Sequence, residues 1–509
     1  MSVDNTFESA HFSKMLRTVD VPGGVETVME GQRAFGLISN AFEQLNGPIV
    51  VMGYASQGPA HANNLRTSLR EAGSDVPVWV ALREGSPSRE LAEADGFTEE
   101  NGTLVTPDVG LKNAGFLAML MADGSMAGQG EEYLSKMRDG SVLGLAHGYY
   151  EGYLESQRRT IKEVAPQLAG VVGVCPKGMG PSVRKLYEQG SGINSSFALS
   201  SGDRQRMTDL GLSWSMGIGS PYTFQTTLGK EWRSDIFGER AMLLGGVHGM
   251  VEAVYAWKHQ KGIGGERAYL ESVETLVGPI SKTISEEGLT GVFEALGSEK
   301  EREEFASAYN ATYPVLKHLI SKLYSDVSSG REIQEVFDDY SLGSPKPQVD
   351  GGQMWRDGEK VRASMTGEQR RQIQIEPAVA GMYIAGMMAQ VDVLRANGHY
   401  WSEVVNESII EAVDSLNPYM AHKGIAFMVD NCSDTAQRGG RKWAPQFEAW
   451  LRQAVLPVVD GGRIKDSQKA GMLLHDDKDY MADFLNHPVH KALETFAKMR
   501  PPISISVTG

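Results

Sequence analysis

The residues best suited to chemistry are two pairs of acids. Asp235 and Glu239 stand four apart in SDIFGERAMLLGGVHG, and Glu407 and Glu411 stand four apart in NESIIEAVDSLNPYM. On a helix, residues i and i+4 share one face, so each pair aims two carboxylates at one place. Magnesium and similar hard cations take oxygen ligands and leave the remaining positions to water or substrate. Two such pairs could build a two-metal site. The bland alternative is a pair of solvated helix faces. It is weakened by the setting, because Ile236, Phe237 and Met242 surround the first pair and Ile409, Ile410 and Val413 the second. Carboxylates among apolar side chains need partners once buried.

A cofactor signal lies upstream. Pro48–Met52 reads as a buried strand, followed by a glycine-rich turn and a helix from about Gln57. In a dinucleotide-binding unit the N–H groups at such a helix start hold the pyrophosphate. The turn runs Gly53, Tyr54, Ala55, Ser56, Gln57, Gly58, with alanine at the middle glycine position. Alone this motif is weak, since glycine turns after strands are common. The next strand, Val76–Leu82, strengthens it. An NAD enzyme places an acid at that strand's tip, whereas here Arg83, Ser86 and Ser88 occupy the loop. A guanidinium with two hydroxyls suits a 2′-phosphate, which favours NADPH. Further strands are expected at Gly115–Met121, Ser141–Leu145 and Leu168–Val174. Ligands gather at the carboxyl ends of such strands. Asp123, His147, Lys177 and Gly180 all lie in the turns that follow, the first and last as cofactor contacts and the two basic groups as catalytic candidates.

Beyond about Arg233 the pattern becomes helical, and the chain matches itself at a shift of 136 positions. Gly245 meets Gly381, Ala253 meets Ala389, Glu271-Ser272 meets Glu407-Ser408, and Gly288 meets Gly424. The acids do not repeat. Asp235 and Glu239 correspond to Arg371 and Ile375, while Glu407, Glu411 and Ser433 correspond to Glu271, Thr275 and Gly297. One metal site per chain, built from both copies, follows; Thr275→Glu is then expected to leave turnover unchanged.

The elements that position these residues make an α/β Rossmann-like N-terminal domain plus an all-α C-terminal region with an internal duplication. The expected boundaries are a lead-in segment without clear period (1–45), the NADPH-binding domain (46–232), and helical copies at 233–368 and 369–509. Gly343–Gly352 and Gly461–Asp477 read as loops. A chain of 509 residues needs more than one core. Its net charge of −15 argues against nucleic acid as partner. Two cysteines, Cys175 and Cys432, fit a reducing compartment. With no apolar run near the roughly 18–20 residues of a membrane helix and no targeting segment, a soluble intracellular protein is expected.

Several long motifs carry a resemblance. ENGTL, CPKGMGPSVR, GINSSFA, SDIFGER, GPISKTISEEG, ESIIEAVDSLNP and FMVDNCSDTA, in this order, resemble the ketol-acid reductoisomerases (acetohydroxy-acid isomeroreductases) of valine and isoleucine biosynthesis. The likeness is to the long, plant-type form with a duplicated helical domain. It implies a knotted helical domain, NADPH and two magnesium ions as cofactors, and conversion of 2-acetolactate or 2-aceto-2-hydroxybutyrate to a 2,3-dihydroxy acid. By motif, Asp235 would bridge the ions, with Glu239, Glu407 and Glu411 as further metal acids. Ser433 would contact substrate, and His147, Lys177 and Glu239 would serve catalysis. The resemblance also implies a homodimer, working in the cytoplasm of a bacterium or in a plastid or other organelle of a eukaryote. Members of this type usually have glycine where Ala55 stands, which bears on cofactor affinity. Two rivals remain: a β-hydroxyacid dehydrogenase with a catalytic lysine and no metal, and a non-catalytic NADPH binder. The four acids with Ser433 count against the first, and the survival of one full acid set against the second.

Overall fold

The computed structural model describes residues 4–31, 33–461 and 478–501. Ten strands form one sheet. They are β1 (Leu16–Val21), β2 (Gly24–Glu30), β3 (Ile49–Met52), β4 (Val78–Ala81), β5 (Leu104–Val105), β6 (Phe116–Met119), β7 (Val142–Leu145), β8 (Gly170–Pro176), β9 (Ser195–Gly202) and β10 (Tyr222–Thr226). The spatial order is β1-β2-β10-β9-β8-β7-β6-β3-β4-β5. Strands β3 to β8 are mutually parallel where they pair. Their order is that of a doubly wound dinucleotide fold, whose connections reverse between β3 and β6 and open a crevice at the carboxyl ends. Each parallel strand is buried on both faces, which explains continuous runs such as Ile49–Met52. Val50 and Met52 join the core shared with the helical region, and Ile49 and Val51 join the core on the opposite face.

The first 45 residues are more than a lead-in. β1 and β2 form a hairpin that extends the sheet, with β2 antiparallel to β10. The strand β1 is largely exposed, which blurs its hydrophobic alternation. Its partner strand's other neighbour, β10, lies nearly two hundred residues away in the chain. Glu26 of β2, 1% exposed, accepts hydrogen bonds from the N–H groups of Trp401 (2.7 Å) and Ser402 (3.2 Å). The hairpin therefore caps a helix of the second copy, where a carboxylate meets the orphan N–H groups of a helix start.

Helices α1 (Gln57–Glu71), α2 (Asp123–Ser135) and α3 (Gly180–Glu188) follow β3, β6 and β8. The helical region is carried by α4 (Leu228–Arg240), α5 (Gly245–Gln260), α6 (Glu299–Ser328), α7 (Pro377–Ala396) and α8 (Asp434–Trp450). Its two halves repeat element for element at the shift read from the sequence. Short helix Gly265–Tyr269 matches Trp401–Val405, and the wide-turned π stretches Leu270–Glu274 and Leu276–Ile280 match Asn406–Ile410 and Ala412–Leu416. Gly288 (φ 81°) and Gly424 (φ 100°) occupy equivalent left-handed breaks.

The halves exchange partners: α7 packs along α6, and α5 along α8. These crossings are close. A Cβ on Gly249 would lie 2.2 Å from the Ala444 carbonyl, and one on Gly381 would lie 2.3 Å from that of Phe305. Contrary to expectation, α7 is long and apolar enough to cross a membrane by length and composition. It is nearly all buried within the helical region, as a core helix. The segment Gly343–Gly352 lacks regular structure, and beyond Gly461 the second expected loop lies outside the described residues. Both cysteines are free.

Candidate active site

Helix α4 begins where the Thr227 side chain accepts from Lys230 N, and it lines up Glu231, Asp235 and Glu239 on one face. Glu231 extends the spacing noticed in the sequence by one turn upstream, a signal present but not used. On the turn after β7, His147 Nε2 lies 2.5 Å from Asp235 Oδ2. The Tyr149 N–H donates to His147 Nδ1 at 2.9 Å. Burial opposes a charge on His147, and the Asp235 carboxylate favours one strongly enough to raise its pKa. The Tyr149 contact decides for a single proton on Nε2, since a second would set two N–H groups against each other. For Asp235, burial is outweighed by His147, which holds the carboxyl below its usual range.

Gly148 N donates to Glu231 Oε2 at 2.6 Å, and a Cβ on Gly148 would lie 2.5 Å from that oxygen. Glycine is therefore required there. From the end of β8, Lys177 Nζ reaches Glu407 Oε1 (2.5 Å) and Glu231 Oε1 (3.5 Å), all three side chains being at most 1% exposed. Burial opposes the Lys177 charge, but Glu407 and Glu231 reverse the balance and raise its pKa.

The second copy contributes Glu407 from the first π stretch and Glu411 from the single residue that joins it to the second. Gln390 Oε1 accepts from Met242 N (2.8 Å) and its Nε2 donates to the Glu407 carbonyl (2.9 Å), tying the copies together beside the acids. Ser433 caps α8, accepting from Ala436 N at 3.0 Å and donating to Glu239 Oε1 at 3.1 Å. Asp123 Oδ2 accepts from Thr435 N at 3.0 Å, so this predicted cofactor contact joins the N-terminal domain to α8.

These residues fit divalent cations. Buried Glu239 Oε2, Glu407 Oε2 and Glu411 Oε2 have no hydrogen-bond partner. Two candidate ligand clusters overlap at Asp235, each with ligand atoms within 4.8 Å of one another: His147, Asp235 and Glu239, where His147 with its Nε2 proton on Asp235 holds that acid rather than a cation, and Glu231, Asp235 and Glu407. Glu411 lines the same cavity but falls outside both clusters. Burial and then Asp235 push Glu239 up, burial and then Glu407 push Glu411 up, and burial raises Glu407 to about 8 against the pull of Lys177. Such crowding of acids is relieved by added positive charge.

Glu231, Asp235, Glu239 and Glu411, but not the fully buried Glu407, line a cavity of about 300 Å³ that also takes in Ala55, Ser56 and Gln57 of the glycine turn, and Leu120 to Asp123 beyond β6. Gly53 (φ 105°) and Gly58 shape the turn: a Cβ on Gly58 would lie 2.2 Å from the Gly53 carbonyl. Ala55 is exposed there. Tyr54 points away, donating to Asp95 Oδ2 at 2.6 Å, so only its backbone can face a cofactor. Gly180 is a packing glycine, since a Cβ would lie 1.9 Å from the Ser56 carbonyl. Arg83, Ser86 and Ser88 sit beyond β4, outside the residues lining the cavity, with Arg83 exposed. Lys346 was not anticipated: it enters the lining from the inter-copy segment, 2.5 Å from Asp434 Oδ1. No periodic signal marks it.

Among the described residues, the other half of the duplication holds no comparable set. Glu271 pairs with Lys258 (2.9 Å) and Arg267 (2.7 Å). Thr275, 1% exposed, accepts from Glu376 N and donates to the Gln374 carbonyl, both at 2.9 Å. The expectation that Thr275→Glu would be harmless therefore fails, because it would bury an unpaired charge.

Comparison with known proteins agrees with this geometry. Residues 45–223 match the family model "Acetohydroxy acid isomeroreductase, NADPH-binding domain", and residues 228–367 and 375–500 each match "Ketol-acid reductoisomerase, C-terminal domain". The chloroplastic ketol-acid reductoisomerase of Spinacia oleracea is 42% identical over 99% of this chain and 83% of its own length. That of Pisum sativum is 42% identical over 98% and 85%. A solved NADH-preferring ketol-acid reductoisomerase from an uncultured archean shares the fold, with TM-score 0.55 and 22% identity over 64% of this chain and 97% of that one. With both domains matched and relatives spanning nearly its whole length, the chain belongs to the ketol-acid reductoisomerase family.

Proposed function

We propose that this oxidoreductase and isomerase uses NADPH and two magnesium ions to convert 2-acetolactate or 2-aceto-2-hydroxybutyrate into the 2,3-dihydroxy acid. Asp235 would bridge the ions, with Glu239, Glu407 and Glu411 as the other acids; Glu231 is added for its place in the second cluster. When bound, the ions would stabilise negative charge on the substrate oxygens and polarise the carbonyl. NADPH would supply the hydride, with its pyrophosphate at the Gly53–Gly58 turn and its 2′-phosphate at Arg83, Ser86 and Ser88. The observation that carries the reading is the set of carboxylates with an oxygen that takes no hydrogen bond among the described residues: Glu239 and Glu411 line the cavity that the glycine turn also lines, and Glu407 is buried beside Asp235.

The chain's own residues divide the remaining work. Lys177 holds Glu231 and Glu407 from behind, and His147 holds Asp235 by its Nε2 proton. Glu239 has Oε1 held by Ser433, and its Oε2 takes no hydrogen bond and lies 3.6 Å from Arg240 Nη1, so we assign it proton exchange with the substrate hydroxyl. The Ser433 hydroxyl is placed to turn from Glu239 to substrate. Leu243, Leu244 and Leu416 give the cavity an apolar wall, suited to the migrating alkyl group. A metal-free dehydrogenase reading is disfavoured because Lys177, its candidate lysine, is engaged by two carboxylates.

The active form is proposed to be a homodimer. The chloroplastic names of the spinach and pea relatives support a plastid stroma for a eukaryotic source; in a bacterium the same chain would work in the cytoplasm. The deciding measurement is NADPH oxidation on 2-acetolactate across a magnesium titration. Magnesium-dependent turnover is expected. Metal-independent oxidation with a simple 2-ketoacid would overturn the proposal.

A further inference from the structure

Behind the acid cluster, on the side away from the cavity, lies a second buried polar group. Ser234 Oγ carries one proton, for which Glu403 Oε1 at 2.9 Å is the nearest acceptor; the Lys230 and Glu231 carbonyls lie at 3.1 Å and Glu407 Oε1 at 3.5 Å. Glu403 Oε2 is 3.1 Å from His399 Nδ1, within ion-pair distance but outside hydrogen-bond geometry. His399 Nε2 is in turn 2.7 Å from Tyr324 Oη, and the Tyr324 ring meets Phe237 of α4 edge-on. Glu403 and His399 are each 1% exposed.

The duplication shows what this group accompanies. At the same shift, Glu403 corresponds to Arg267, His399 to Ile263, Ser234 to Arg370 and Tyr324 to Asp460. In the half without the metal acids, Arg267 is a largely exposed cation paired with Glu271, the counterpart of Glu407. In the half with them, the equivalent position carries a second buried acid with only Ser234 between it and Glu407. Two buried carboxylates four residues apart repel. Their arrangement makes sense where Glu407 gives its charge to a cation and Glu403 meets Ser234 on one side and His399 on the other.

Resting on the proposed metal site, we propose that Glu403, backed by His399 and Tyr324, is a positioning residue that fixes Ser234 and, through it, sets the Glu407 carboxylate for binding the cations. Partners one step behind metal ligands orient them, and losing such a partner costs roughly 10- to 100-fold in metal affinity.

The test is Mn²⁺ binding to the full chain without nucleotide or substrate, followed by the electron paramagnetic resonance of free Mn²⁺. Glu403→Gln is expected to weaken binding roughly 10- to 100-fold and to leave NADPH affinity unchanged. Ser234→Ala should weaken it similarly, and the double variant should lose no more than the worse single one, because both act on one contact. Arg267→Ala, at the counterpart position, should bind as wild type. Mn²⁺ affinity unchanged in Glu403→Gln, losses that multiply in the double variant, or a parallel loss of NADPH affinity would each overturn the proposal. If Glu403→Gln does not fold, Ser234→Ala decides alone, and wild-type affinity there overturns it. Failure of the wild-type chain to bind Mn²⁺ would instead sink the metal-site reading.

Discussion

Lys177 Nζ lies 2.5 Å from Glu407 Oε1, joining the end of a strand in the nucleotide-type sheet to the second helical copy inside the acid cluster. The same ammonium faces Glu231 of α4, at the start of the first copy. One buried cation thus ties three parts of the chain together. Removing one partner of a buried pair costs roughly 3–5 kcal/mol, because the remaining charge is stranded. Lys177→Met should therefore lower stability by about that amount in urea unfolding without magnesium, and reduce turnover roughly 10- to 100-fold or more. An unchanged unfolding midpoint would show that the pair does not bear on stability.

The two halves of the duplication should respond differently to loss of charge. Asp235→Asn and Glu411→Gln are expected to abolish turnover while NADPH binding, followed by fluorescence, is retained. Glu271→Gln breaks only partly exposed ion pairs. Such pairs contribute about 0–1 kcal/mol, so turnover should stay near wild type. Loss of activity in Glu271→Gln would mean that the functional half has been misassigned.

Arg83 is exposed just beyond β4, followed by Glu84 and then Ser86 and Ser88. A charge-assisted hydrogen bond to a phosphate is worth about 1.5–3 kcal/mol. Arg83→Ala should weaken NADPH roughly 10- to 100-fold and leave NADH nearly unaffected. Ala55→Gly should bind both nucleotides at least as tightly as wild type. Titration with each nucleotide checks both; equal weakening of NADPH and NADH by Arg83→Ala would place the 2′-phosphate elsewhere.

Magnesium should raise the thermal midpoint, since the unfolded chain has no assembled acid cluster. At a free concentration 100 times the dissociation constant, the linkage amounts to about 2.7 kcal/mol. EDTA should reverse the shift, and Glu239→Gln should shrink it. A midpoint indifferent to magnesium would argue against cation binding at this cluster.

Away from the site, Asp392 accepts from Tyr313, faces Lys317 at 3.1 Å and faces His487 at 3.2 Å. Burial opposes its ionisation, but His487, Tyr313 and Lys317 hold the carboxyl at about 2. A depressed folded-state pKa contributes stability above the unfolded value, and that contribution is lost as the pH falls through the folded one. About 2 kcal/mol should disappear between roughly pH 4 and pH 2. Asp392→Asn should flatten that part of the acid-unfolding curve; an unaltered curve would remove Asp392 as its source.

Much of the plan is written locally. The strand, glycine turn and helix at β3 and α1 were legible because each needs only neighbouring residues: a continuous apolar run, a glycine with positive φ, and a helix start. The two acid pairs were legible by helical spacing, and the duplication by a constant shift that the two halves retain element by element. The inference that one site draws on both halves also came from sequence, because the counterparts of Asp235, Glu239 and Glu411 are Arg371, Ile375 and Thr275, which leaves one full acid set divided between the copies.

What tertiary structure alone decided is how those pieces face one another. Pairing of β2 with β10 is set by contacts across nearly two hundred residues, and the exposed β1 carries too little alternation to reveal it. Whether Tyr54 meets a cofactor or Asp95 depends on a helix that follows β4, and Gly180 is glycine because the Ser56 backbone comes against it. Glu231 carries only the spacing it shares with Asp235 and Glu239, and Glu403 and Lys346 have ordinary sequence surroundings. They matter because the exchanged helix packing buries the first two among other carboxylates and lays the third over the cavity. Spacing along a helix specifies which side chains share a face; only packing decides what that face meets, how dry it is, and which charges must share it.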